Sequence, residues 1–307
     1  MPIRFTLRQL EYLIAVGETG SIAAAAERVN VSSPSISTAI SQLEKELGAQ
    51  LFVRRHAQGL SLTPGGRRIF NDARRIVHDA GRLYAVAGET RDLPSGPLTV
   101  GYLTSIAPVL AAGVRRGFEA AYPEATLTMR VGDQAELMTM LNRAEIDLAV
   151  TYDIELPPDD RFAPVTALSP YAALAADHPL AEKESVTVDE LVEEPMVLLD
   201  LPLSREYMLA AFHDAGLRPW VAERSTDLAV VRSLVANGFG FSLLNLRTRT
   251  REALDGAPLA FVPLAGSQRP LTLGVLSKTT GWRSRIQSAF EEHLTALAES
   301  GELPGLG

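Results

Sequence analysis

The sequence predicts an α + α/β chain: an N-terminal winged helix-turn-helix, a long linker helix, then an α/β body. Three observations carry this. Three short helical patterns and a hairpin pattern fill residues 1–62. A helical pattern without a break runs over residues 63–90. After the linker-like RDLPSGP (91–97), strand and helix patterns alternate to the end of the chain.

In the head, LRQLEYLIAVG (7–17) sets Leu7, Leu10, Leu13, Ile14 and Gly17 at helical spacing. SIAAAAERV (21–29) reads as a second helix capped by Ser21. The third starts in VSSPSIST, capped by Ser32 or Ser33. It keeps Ile36, Ala39, Ile40, Leu43 and Leu47 on one stripe and stops at Gly48. Opposite that stripe lie Pro34, Thr38, Ser41 and Lys45, flanked by Ser35 and Ser37. Small hydroxyls at a helix entrance let the helix sit close to base edges, while free N–H groups there suit a phosphate. The runs 50–54 and 59–62 read as a hairpin, with Arg55, His56, Ala57 and Gln58 between them. These features point to double-stranded DNA, with Ser32, Ser33, Pro34, Ser35, Ser37, Thr38, Ser41, Arg54 and Arg55 as contacts.

Thr63-Pro64 caps and opens the long helix. Phe70, Ala73, Val77, Ala80, Tyr84 and Ala87 form a heptad seam, widened by Ile69, Ile76 and Leu83. This predicts a helix that pairs two chains; packing on its own domain is the competing reading.

Beyond it, LTVGYL, ATLTMRVG and IDLAVTY read as strands with two helices between them, a βαβαβ run that predicts a parallel sheet. A second set follows in YAALAA, PMVLLD, WVAERS and FGFSLLN, and LTLGVLSK with a final helix closes the chain. Ligands of such sheets sit beyond the strand ends, at helix N-termini. The candidates there are Thr104 and Ser105, Gly132 and Asp133, Thr151 and Tyr152, Leu201, Pro202 and Ser204, and Ser225 and Thr226. Thr104 and Ser105, with the helix from 106, would suit an anion. Asp133, Asp200 and Asp227 would greet an amino group, making the effector a zwitterion, or would simply cap helices, which is the favoured reading for Ser225, Thr226 and Asp227.

Charge is unevenly placed. Residues 1–90 carry 11 basic and 8 acidic side chains and residues 91–307 carry 18 and 29, so a mildly basic head sits on an acidic body. The chain has no cysteine, which excludes disulfides and Cys-ligated metals. No apolar leader follows MPIRFTLRQLEYL, and the longest uncharged run, Leu93 to Val114, contains Pro94, Pro97 and Pro108. The expectation is a cytoplasmic protein with no membrane partner. Histidines 56, 78, 178, 213 and 293 are scattered, and there is no GxSxG, Walker loop or HExxH. No catalytic residue, metal or cofactor is expected.

LRQLEYLIAVGETGSIAAAAERVNVSSPSISTAISQLEKELGAQLF and RRHAQGLSLTPGGRRIF strongly resemble the N-terminus of LysR-type transcriptional regulators. YPEATLTMRVGD, AEIDLAV and VANGFGFSLLN carry the resemblance through the body. It implies a DNA-binding domain over 1–62, a dimerisation helix over 63–92 and an effector-binding domain over 93–307. That domain would resemble periplasmic binding proteins, with one lobe at 97–164 plus 268–300 and the other at 165–267. It also implies promoter DNA and a small metabolite as partners, and a tetramer. Two residues depart from the family's habit: Ser33 stands where Gln commonly precedes the proline, and Thr38-Ala39 where Arg-Gln commonly follows the serine. Modest sequence discrimination follows. The competing functions are a DNA-binding protein without effector, a solute-binding protein and an enzyme of the same fold.

Overall fold

The computed structural model describes residues 3–55, 59–87, 93–266, 268–279 and 283–306, without the side chains of 55, 78 and 82–87. The chain forms two compact units, Met1–Asp92 with Asn142–Glu145, and Leu93–Leu141 with Ile146–Gly307.

The first unit begins with α1 (Leu7–Thr19), held by a Thr6/Gln9 capping box and ended by Gly20 at φ 64°. Ser21 caps α2 (Ile22–Arg28) through the Ala24 N–H. Ser32 caps α3 (Ser33–Leu47) through the Ser35 N–H, and Gly48 ends it at φ 62°. Of the two candidate caps, Ser32 takes the role and Ser33 is the first helical residue. The hairpin pairs β1 (Phe52–Arg55) with β2 (Gly59–Leu62), antiparallel; its tip, 56–58, lies outside the described residues. The Glu44 carboxylate accepts from the Leu51 N–H at 2.7 Å and the Phe52 N–H at 3.3 Å, tying this wing to α3.

Helix α4 (Pro64–Ala87) is capped by Thr63, whose hydroxyl accepts from the Gly66 N–H at 2.8 Å. Its first turns do not stand free. Phe70 and Ala73 are buried with Leu10, Leu13, Val16, Ile36 and Leu43 in the core of this unit, and Val77 packs at its edge. A Cβ on Gly17 would overlap the Phe70 ring, so α1 and α4 meet where one side chain is missing. The expected seam is therefore divided. Its first half fills the head, whereas Ile76 is 42% exposed. Leu83, Tyr84 and Ala87 lie outside the described side chains. Leu7, expected on the inner stripe, is 47% exposed.

In the second unit the first sheet has the order β4-β3-β5-β12-β6. Its strands are β3 (Gly96–Leu103), β4 (Ala125–Gly132), β5 (Leu148–Tyr152), β6 (Asp160–Leu168) and β12 (Leu271–Lys278). Helices α5 (Ala107–Ala121), α6 (Gln134–Asn142) and α10 (Arg285–Glu299) accompany it. β3, β4 and β5 run parallel, but β12 is antiparallel to both β5 and β6. The sheet is mixed, not parallel, because the chain returns from the second lobe in the opposite direction.

β6 is a strand where a crossing was expected. Pro164 sits opposite Gly274 at a register shift on the outermost strand, a place where a missing N–H costs no ladder bond. The first crossing accordingly follows Leu168, and the first lobe takes residues 160–168.

The second lobe holds β7 (Tyr171–Ala175), α7 (Val188–Leu191), β8 (Pro195–Leu199), α8 (Ser204–Asp214), β9 (Trp220–Ser225), α9 (Leu228–Ala236), β10 (Ser242–Leu244) and β11 (Leu259–Pro263). β7 is central between antiparallel β10 and β11, and β8 pairs in parallel with β9. A bridge from Met196 to Phe241 joins the two pieces. β11 was not expected.

Candidate nucleic-acid interface and effector cavity

On α3 the buried stripe of Ile36, Ile40 and Leu43 turns the opposite face outward. Ser32, Pro34, Ser35, Ser37, Thr38, Ser41 and Arg54 are exposed, while Ser33 is half-buried. They divide between two grooves. Pro34, Ser35 and Thr38 share one with Thr6, Arg8, Gln9, Tyr12, Ala39 and Gln42. Ser37 and Ser41 share the other with Arg54, Gln50, Phe52 and Leu60. Arg55 belongs to β1, with its side chain outside the description.

The first groove is built by two helix ends. Pro34 in the first turn of α3 and the Thr6 cap of α1 bring both N-termini toward it. The Arg8 Nε donates to the Tyr12 hydroxyl at 3.0 Å, and the Gln9 amide donates to the Gln42 amide oxygen at 3.4 Å. Ser32 and Ser35 hydroxyls are hydrogen-bonded to each other at 2.8 Å, so Ser32 is a cap first. Thr6, Arg8, Gln9 and Tyr12 were not singled out in the sequence. Their only signal there was the T-x-x-Q capping pattern before the first helix.

In the body, a narrow cleft, partly open to solvent, is lined by Ser105, Tyr152, Leu199, Leu201, Ser204, Met208, Leu228, Arg232, Leu244, Asn245, Leu246 and Leu271. It thus joins the ends of β3, β5 and β8 to α8, α9 and the segment after β10. Of the residues expected here, Ser105, Tyr152, Leu201 and Ser204 are brought together.

The others are placed elsewhere. The Thr151 hydroxyl donates to the buried Gln134 side chain at 2.7 Å. Asp133 accepts from the Glu136 N–H at 2.9 Å as the cap of α6. Thr104 and Gly132 are joined by a backbone hydrogen bond of 3.0 Å between the ends of β3 and β4. Pro202 is exposed. Ser225 accepts from the Asp227 N–H, Asp227 caps α9, and Thr226 is exposed beside them. Thr104, Gly132, Asp133, Thr151, Pro202, Ser225 and Thr226 are therefore not among the lining residues.

The expected pair of hydroxyls at a helix start is also corrected. The residue before α5 is Ile106, which makes no side-chain cap, and only Ser105 lines the cleft. For the aspartates, the capping reading holds at two of the three positions. Asp133 and Asp227 cap helices, and Asp200 is held by Arg205 at 3.0 Å and Arg224 at 3.4 Å. The Arg205 hydrogen bond holds the Asp200 carboxyl below the ordinary range.

Two lining residues missed by the sequence have marked electrostatics. Arg232 is half-buried, and that burial lowers its pKa. Its guanidinium donates to the Thr248 hydroxyl and to the Thr250 and Glu252 carbonyls, each at 2.9 Å, and lies over the Phe261 ring. Asn245 is 4% exposed; its amide N–H groups donate to the Leu168 carbonyl at 2.9 Å and the Tyr207 hydroxyl at 3.2 Å. Across the cleft, burial raises the pKa of the Tyr152 hydroxyl.

Two family models match the chain. Residues 7–67 match the bacterial regulatory helix-turn-helix protein of the lysR family, and residues 91–299 match the LysR substrate binding domain. This chain belongs to the LysR family. A LysR-family regulator from Pseudomonas aeruginosa, HinK, has a solved structure similar to it, with 32% identity, a TM-score of 0.64, and coverage of 96% of this chain and 99% of that one. The HTH-type transcriptional regulator CysB of Haemophilus influenzae is 27% identical over 94% of this chain and 90% of its own. The OxyR regulator of Escherichia coli is 25% identical over 95% and 94%.

Like other LysR-family proteins, this one is a DNA-binding transcriptional regulator with a substrate-binding domain. The LysR-type head and body recognised in the sequence are both present. Among the described residues no helix is long and apolar enough to cross a membrane, and no cluster of His, Asp and Glu is set to hold a metal.

Proposed function

We propose that α3 enters the major groove by its Pro34–Thr38 end. There Ser35 and Thr38 meet base edges, while Arg8, Tyr12, Arg54 and Arg55 meet phosphates. A small metabolite held between the lobes then alters how the dimer or tetramer binds or bends the promoter. The observation that supports this most is one cleft lined from both lobes, by Ser105 and Tyr152 on one side and Ser204 and Asn245 on the other. A ligand touching both lobes favours one angle between them and so shifts a population.

Roles follow residue by residue. Ser32 organises the α3 entrance, and Ser33, Ser37 and Ser41 flank the reading face. Ser105, Tyr152, Leu201 and Ser204 hold the effector together with Arg232 and Asn245. The body is regulatory and performs no catalysis. α4 pairs two chains by residues the head does not use, the exposed Ile76 among them, since Phe70 and Ala73 are buried within the head. Thiol oxidation is not the signal, because the chain has no cysteine.

The test is a footprint of the full-length protein on its own upstream region, with and without a broad metabolite panel, beside a thermal-shift screen of the same panel. A ligand that raises the melting temperature and changes the footprint is expected. A footprint that no metabolite changes, with no thermal shift, would leave a constitutive DNA-binding protein.

A further inference from the structure

The cleft carries two polar demands that no described residue meets. Asn245 is almost fully buried, and its Oδ1 has no hydrogen-bond partner among the described residues. Its amide cannot be turned round to relieve this, because the nitrogen already donates to the Leu168 carbonyl, which can only accept. A buried carbonyl oxygen left without a donor is costly, so the place suits an incoming O–H or N–H.

The second demand is charge. Arg232 gives three hydrogen bonds to neutral acceptors and none to a described carboxylate. Neutral oxygens satisfy its N–H groups without offsetting its charge, and burial makes that charge more costly. An anion beside it would be favoured. The rest of the wall is apolar, made of leucines and Met208, and among the lining residues there is no lysine or second arginine for a second anionic group.

We infer that the effector is a small organic acid with an apolar body and one hydroxyl or amine. Its carboxylate would lie toward Arg232 and its O–H or N–H against Asn245 Oδ1. The inference rests on the cleft being the effector site. It moves the anion's partner from the entrance of α5, where the sequence suggested it, to α9.

Matched probes test this on the full-length protein by calorimetry and thermal shift. One set is mandelate, phenylacetate and 1-phenylethane-1,2-diol. The other is 2-hydroxy-4-methylpentanoate, 4-methylpentanoate and 4-methylpentane-1,2-diol, with leucine and phenylglycine as amine-bearing acids. At least one hydroxy or amino acid should bind about tenfold tighter than the acid without the donor and than the diol. Asn245→Ala should erase the first advantage and keep the second. Arg232→Gln should do the reverse, and it carries the test alone if Asn245→Ala does not fold.

Equal binding of the plain acid or the diol would overturn the inference. So would binding confined to dicarboxylates, sugars or cations, and so would silence from every probe. The outcomes separate from those of the underlying reading: if other metabolites bind, only the ligand class is wrong; if none of the broad panel binds, the effector site itself is wrong.

Discussion

The Asn245 side-chain amide donates to the Tyr207 hydroxyl at 3.2 Å, and that hydroxyl donates in turn to the Arg269 carbonyl at 2.6 Å. Asn245 also reaches Leu168 at the first crossing between lobes, and Arg269 stands at the second. One cleft residue is thereby tied to both hinge strands. Tyr207→Phe removes the middle of this chain while leaving the Leu168 bond. It should cost the body about 1–2 kcal/mol in urea unfolding followed by fluorescence. Both tryptophans, Trp220 and Trp282, lie in the body, so the signal reads that unit. An unchanged midpoint would show that the hydroxyl contributes nothing to the hinge.

Thr38 and Arg54 should fail in different ways. Thr38→Ala is expected to narrow the gap between the cognate site and variants of it, by about 1 kcal/mol at the base it meets. Arg54→Ala should weaken binding to all sequences and lower the salt slope by about one. Fluorescence anisotropy at several salt concentrations distinguishes them. An Arg54→Ala protein with the wild-type slope would remove Arg54 from the phosphate contacts.

Gly66 has no room for a side chain, since its Cβ would overlap the Leu51 backbone. Gly66→Ala should loosen the joint between wing and α4 by about 1–3 kcal/mol, seen as faster hydrogen exchange in the head. Gly81, on the same helix with open space around its Cβ position, is the control. There alanine should stabilise the helix by about 0.5–1 kcal/mol. Similar exchange in both variants would contradict the close approach at Gly66.

Glu190 sets a pH window. Its carboxyl bonds the Lys183 ammonium and the Thr187 N–H, which lower its pKa from the ordinary 4.5 to about 2. A lowered pKa means the stabilisation is present above about pH 4.5 and is lost as pH falls toward about 2. Glu190→Gln should therefore be less stable than wild type at neutral pH, and the two should converge in acid. A constant difference between them across that range would mean another group carries the effect.

The head was legible because each local signal agreed with its neighbours. Ser21 and Ser32 cap, Gly48 stops a helix, and the Ile36–Ile40–Leu43 stripe is buried. The body was legible where strands point into helices, and four residues read from that rule, Ser105, Tyr152, Leu201 and Ser204, line the cleft. It was illegible where the lobes return on themselves. Leu244, Leu246 and Leu228 read as ordinary core, and nothing local marks Arg232 or Asn245 as neighbours of Ser105. β6 was hidden by Pro164, which reads as a breaker unless one knows the strand is outermost. The heptad seam misled in part, because the same spacing serves a helix packed on its own domain and one packed on a partner.

The place of β12 between β5 and β6 has a consequence for how the protein is made. Residues 171–263, which supply every strand of the second lobe, leave the ribosome as one continuous stretch. The first lobe must wait, with two of its neighbouring strands held apart, until residue 278 has emerged. The half made first is therefore finished last, and a nascent chain stopped anywhere before Leu271 exposes the strand edges that β12 later covers.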